Sequence, residues 1–145
     1  MLFLNVLMFV VAAVVAYVSY LSYRTNREKF RLDLFEKRHA IFRAVTRHLR
    51  KAADITTLEW GDITEYLQAT ADAPFLFDSN LTEYIDNVYK DSKSLVSSRK
   101  RLDGKVTDQQ RESLSEELDR ALEALVQKLQ EAKQRFSPYL GFKKP

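Results

Sequence analysis

The chain has 145 residues, 30% of them charged, a net charge of +3 at pH 7, three glycines, three prolines and no cysteine. Outside any membrane segment, that length supports one domain with a modest core rather than two. The composition excludes a disulfide scaffold, a thiol nucleophile, a glycine-rich phosphate cradle and a low-complexity or collagen-like chain.

Residues 1–23, MLFLNVLMFVVAAVVAYVSYLSY, contain no Asp, Glu, Lys, Arg or His. A helix rises about 1.5 Å per residue and the hydrocarbon core of a bilayer is about 30 Å thick, so roughly 20 apolar residues span it. Leu2 to Ser22 is long enough. Its Leu, Val and Phe residues each favour insertion by about 0.3 to 0.6 kcal/mol near the helix centre. Asn5 is the one strongly polar residue and lies near the end. No Lys or Arg precedes the run, and Tyr17, Tyr20 and Tyr23 crowd the position where a cleavage site needs small residues. The segment therefore reads as a retained anchor, with tyrosines suited to a bilayer interface.

Residues 24–51 hold ten Lys or Arg against Glu28, Asp33 and Glu36, whereas residues 52–145 are net acidic. Positive charge beside a span stays in the cytoplasm, so the N-terminus is expected outside and residues 24–145 inside. A cysteine-free chain agrees with a reducing compartment. Within this basic stretch Arg24, Arg27, Lys29 and Arg31 are candidates for contact with anionic lipid headgroups, each cation contributing about 1 kcal/mol near a charged surface.

The apolar residues of the remainder recur at helical spacing, and no alternating strand pattern occurs. Phe30, Leu34, Phe35, Ile41, Phe42, Val45 and Leu49 form a stripe to about Ala53. Nothing between Tyr23 and Ala53 breaks a helix, which leaves anchor and domain free to form one rod. After Asp54 and Ile55, Thr56 with Glu59 gives the capping-box spacing of a short second helix to about Ala71, with Leu58, Ile63, Tyr66 and Leu67 as its buried side. ADAPFLFDSN reads as a loop, because Pro74 disfavours helix at Ala73. Asn80 with Glu83 repeats the capping spacing and starts a third helix, which Gly104 is placed to end in a left-handed conformation. Thr107 with Gln110 opens a fourth helix whose seam is Leu114, Leu118, Ala121, Leu125, Leu129, Ala132 and Phe136, of the kind that packs on helices of its own chain or forms a coiled coil with another. Ser137-Pro138 is expected to stop it.

Little in the chain supports catalysis. His39 and His48 stand nine residues apart, about two and a half helical turns, on opposite faces, so one helix cannot bring both to a metal. They read as surface or core-edge histidines. No metal, P-loop, dinucleotide or hydrolase motif occurs. No cofactor, nucleic acid or small-molecule substrate is indicated, and the expectation is a protein that is not an enzyme. Arg99, Lys100, Arg101 and Lys105 form a basic tip between the last two helices. It reads as a solvated turn, or as a bilayer contact if the third helix runs back along the first. Phe75, Leu76 and Phe77 cannot all face one way from a loop. Either they close the bundle end with Tyr139, Leu140 and Phe142, or some of them face a protein partner.

The span followed by FEKRHAIF (Phe35 to Phe42), LQATADAPFLFD (Leu67 to Asp78), YIDNVYK (Tyr84 to Lys90) and FSPYLGF (Phe136 to Phe142) resembles a group of short, uncharacterised bacterial single-pass membrane proteins with a helical cytoplasmic part. That resemblance implies a bacterial inner membrane and brings no catalytic residues. The expected architecture is all-α: a transmembrane helix, residues 1–23, continuing into an antiparallel three- to four-helix bundle, residues 24–145. The expected function is a membrane-anchored interaction or scaffold module that binds a protein partner or itself. The alternative is a membrane-organising protein that binds anionic lipid through the basic juxtamembrane segment.

Overall fold

The computed structural model describes residues 2–54, 58–104 and 107–141, with side chains from Met8 onward. Regular structure in the described residues is entirely helical: α1 (Leu2–Ala53), α2 (Trp60–Thr70), the single turn α3 (Ala73–Leu76), α4 (Ser79–Leu102) and α5 (Asp108–Leu140). The chain divides into two compact units, Met1–Glu36 and Lys37–Pro145.

In the first unit most of the described apolar side chains are exposed. Met8, Phe9, Val14, Val15, Tyr17, Val18, Tyr20 and Tyr23 are all more than half exposed. They lie on every side of the helix, unlike the single stripe of a helix on a core. By length and composition α1 is the one helix among the described residues able to cross a membrane. Phe30 and Phe35 are exposed as well, at 69% and 41%. The stripe expected from Phe30 onward is therefore buried only from Ile41, in the second unit.

Partner numbers give the topology of that unit. Lys51 Nζ meets Asp62 Oδ1 at 2.6 Å and Arg47 meets Glu65, so α1 and α2 are antiparallel. Lys128 reaches Asp91 at 2.5 Å and Glu117 accepts from Ser94 at 3.1 Å, so α4 and α5 are antiparallel too. Arg38 donates to the Leu76 carbonyl, His48 bonds Ser92, and Arg99 donates to the Leu58 carbonyl. Both number series rise together, so α4 runs parallel to α1. The condition for a basic tip returning along α1 is thus not met. Arg99 sits at the Ala53 end of the unit, and its guanidinium binds backbone at 2.6 Å.

The core gathers Val45, Leu49 and Ala52 on α1, Ile63 and Tyr66 on α2, Leu81, Ile85, Val88, Leu95 and Val96 on α4, and Leu125, Ala132 and Phe136 on α5. Leu58 is fully buried as expected, whereas Leu67 is 44% exposed because Ile63, Tyr66 and Thr70 take the inner face of α2. The seam of α5 faces its own chain: Leu114, Ala121, Leu125, Ala132 and Phe136 are buried.

Several helix ends differ from the sequence expectation. Thr56 lies outside the described residues. Helix α2 starts after Glu59, whose amide donates to Asp62 Oδ2 at 2.8 Å. Residues Ala73–Leu76 form a helical turn rather than a loop. Proline in a first turn lacks only an N–H that has no helical partner anyway. Asp78, not Asn80, caps α4 by accepting from Leu81 N at 2.9 Å. The helix consequently begins two residues earlier. At the other end of α4, Gly104 has no positive φ; the left-handed glycine is Gly141, φ 63°, which ends α5. Thr107 and Gln110 do cap α5 reciprocally. Pro138 does not stop α5, which continues to Leu140. The rings of Phe136 and Tyr139 on either side of it both pack edge-on against Phe77, at 5.4 and 5.2 Å, and Leu140 is buried. Tertiary contact holds the last turn against the missing N–H.

Candidate functional site

Arg24, Arg27, Lys29 and Arg31 all lie on the exposed part of α1. At about 100° per residue, Arg24, Arg27 and Arg31 share one face with Tyr17 and Tyr20, whereas Lys29 stands well round the helix from them. Arg24 Nε approaches Glu28 at 3.5 Å, in a pair whose side chains are both 68% exposed. Three of the four candidate lipid contacts thus form one strip, continuous with two of the tyrosines, and the fourth does not join it.

The three residues Phe75, Leu76 and Phe77 divide between the two uses the sequence left open. Phe77 is buried against Phe136 and Tyr139, and Leu76 is half-buried with its carbonyl held by Arg38 Nε at 3.0 Å. Phe75 is 87% exposed, the most exposed large apolar side chain among the described residues of the second unit. The α3 turn causes this division, because it sends successive side chains about 100° apart. Tyr139 and Leu140 join the closure as expected, and Phe142 lies outside the described residues. Asp78 anchors the same end: the Tyr139 hydroxyl and then the Leu81 amide hold its carboxyl below the usual range.

The sequence underestimated His48. It is 6% exposed, lies against the Tyr66 ring at 4.4 Å and bonds Ser92 Oγ through Nε2 at 2.8 Å. Ser92 is wholly buried, and its hydroxyl is also 2.7 Å from the Val88 carbonyl. A carbonyl only accepts, so the single Ser92 proton goes to Val88, and His48 Nε2 must be the donor. The imidazole is therefore the Nε2–H tautomer and cannot act as a base toward Ser92. Burial lowers its pKa to about 4, with nearby Lys51 acting in the same direction and Asp62 opposing. The signal was present in the sequence: His48 sits three residues after Val45 and four before Ala52, on the buried stripe.

His48 lines a groove of about 320 Å³ between α1 and α2. Its apolar lining includes Ala40, Ala44, Ala69 and Tyr66, and its charged lining Arg43, Arg47, Lys51, Asp62 and Glu65. For Asp62, burial pushes the carboxyl up, but the Lys51 ammonium and the Glu59 amide outweigh it and leave the pKa lowered. A groove of about 390 Å³ between α4 and α5 is polar, with Asn80, Asn87, Gln127 and Arg135 among its lining. Its Glu131 is already bound by Gln127 and Arg135.

Among the described residues no three His, Cys, Asp or Glu side chains are grouped to hold a metal ion. The arrangement holds an exposed phenyl on a helical turn, a basic strip beside tyrosines, and an enclosed imidazole in a groove. No protein-family model, curated protein or solved structure matches this chain.

Proposed function

We propose that the protein is a membrane-tethered, non-catalytic helical module that presents its second unit to a protein partner or to a second copy. The observation that carries the tether is the exposure of large apolar side chains on all sides of α1 from Met8 to Tyr23. Such a surface is stable against lipid and not against water. In this reading the membrane is a bacterial inner membrane, as the resemblance implies, with the N-terminus outside and residues 24–145 cytoplasmic. The partner surface is centred on Phe75, since the α5 seam is occupied within the chain.

Because the chain has no cysteine, single cysteines report position directly. An impermeant maleimide should label Leu2→Cys in intact spheroplasts and Phe75→Cys only after lysis. Labelling of Phe75→Cys before lysis would reverse the orientation, and recovery of the chain in the soluble fraction would remove the tether. A photocrosslinker at Phe75 should capture a discrete adduct that one at exposed Glu112 does not; identical capture from both positions would count against a Phe75 surface.

The alignment of Arg24, Arg27 and Arg31 on the face that carries Tyr17 and Tyr20 favours a second reading, binding of anionic lipid. Attraction of this kind fades as added salt shortens the screening length, whereas an apolar interface persists. In nanodiscs, phosphatidylglycerol crosslinked to an Arg27 probe should fall as salt rises from about 0.1 to 1 M. A yield indifferent to salt would discard this reading.

A further inference from the structure

The groove between α1 and α2 contains an acceptor that the protein itself does not use. His48 gives its one N–H to Ser92, which leaves the Nδ1 lone pair. No buried side-chain nitrogen or oxygen among the described residues lacks a hydrogen-bond partner. Nδ1 has no bond from the described residues, so it is not sealed in, and the opening next to it is the groove that His48 lines. The rest of the imidazole is enclosed, so a donor to Nδ1 can come only from the groove side.

Five residues earlier on α1, Arg43 lines the same groove. The other two cations there are committed, Lys51 to Asp62 at 2.6 Å and Arg47 to Glu65 at 3.6 Å. Arg43 makes no ion pair among the described residues, and three cations against two carboxylates leave the groove with one positive charge over. Ala44 and Ala69 line the same groove, and their methyl groups are too short to fill it. Five helical residues rise about 7.5 Å, the reach of a chain of five or six atoms. A volume of about 320 Å³ stands at the small end of ligand sites.

We infer that this groove binds a small organic monoanion: a carboxylate on Arg43, a short apolar body across Ala44 and Ala69, and a hydroxyl or N–H that donates to His48 Nδ1. A dianion is disfavoured by Asp62 and Glu65 on the far wall. A ligand without a donor leaves the His48 acceptor unpaired. This site is separate from the Phe75 surface and does not depend on it.

The chain has two histidines, so ¹⁵N-histidine labelling of the full-length protein in nanodiscs gives one reporter in the groove and one control, His39. The probe is 5-hydroxypentanoate, with pentanol and pentanoate as comparisons. The expected result is a saturable shift of His48 Nδ1, unmatched at His39, weaker with either comparison compound. Arg43→Gln, at an exposed position, should weaken binding roughly tenfold or more, as loss of a charge-assisted bond does. Ala44→Leu, which fills the floor, should abolish it. The proposal is overturned if His48 does not respond up to the solubility limit of the probe. It is equally overturned if pentanol shifts His48 as strongly as 5-hydroxypentanoate, or if Arg43→Gln binds as the native chain does.

Discussion

Burial holds the His48 imidazole near pKa 4, well below its ordinary 6.5, and this makes one residue a determinant of acid stability. Its folded pKa lies below its unfolded one, so between pH 4 and 6.5 the unfolded chain binds more protons. The contribution is therefore complete above pH 6.5 and is lost as pH falls toward 4, amounting to about 3 kcal/mol. Carboxylates with lowered pKa, such as Asp62 and Asp78, add losses in the same direction but below their ordinary range, near pH 4. The melting temperature of the second unit, followed by circular dichroism in nanodiscs, should drop between pH 6.5 and 4. His48→Leu should flatten that drop, because Ser92 keeps its bond to Val88; an unchanged slope would show that other groups set it. Two phenylalanines make a second contrast at this scale. Phe136 is fully buried and meets Phe42, Phe77 and Tyr84, so Phe136→Ala should destabilise by about 3 to 5 kcal/mol. Phe75→Ala, at 87% exposure, should stay within about 0.5 kcal/mol, and its effect should appear in partner capture instead.

The elements were legible wherever apolar periodicity spoke and less so at their ends. Five-residue patterns such as Asp-Ser-Asn-Leu-Thr hold several residues able to cap, and which one does depends on where the preceding backbone turns. Here α3 delivers the chain to Asp78 in an extended conformation, and Asp78 takes the cap two residues before Asn80. Asp78→Ala should cost about 1 to 2 kcal/mol, from loss of both the cap and the Tyr139 bond, while Asn80→Ala should be close to neutral. Equal losses from the two would restore the Asn80 cap. Pro138 and Gly104 show the same limit. Their local preferences are real, but the rings packed on Phe77 keep Pro138 helical, and the Arg101 carbonyl accepts from Gly104 N at 3.2 Å with φ negative.

At the scale of the whole molecule, helix order alone leaves open which helices run parallel, and that decides what a charged turn can touch. With α4 parallel to α1, the basic tip belongs to the Ala53 end of the second unit, and Arg99 is occupied by the Leu58 carbonyl. Replacing Lys100 and Arg101 by Gln should therefore leave lipid crosslinking at Arg27 unchanged, whereas replacing Arg24, Arg27 and Arg31 by Gln should reduce it several-fold, read by the same crosslinking yield. An equal loss from both sets would put the tip at the bilayer after all.

The helical class, the one segment apolar enough to span a bilayer, the buried face of α5 and the Thr107 cap were all legible in local sequence. Each follows from interactions within a turn or two of one helix, or from the matching of apolar length to hydrocarbon thickness. Long-range packing set Phe77 in the core and Phe75 at the surface, brought Ser92 to His48 as its acceptor, and covered α1 only from its later turns. Those outcomes depend on which residues of α2, α4 and α5 arrive beside α1, and residues far apart in the chain meet through packing that no local pattern encodes.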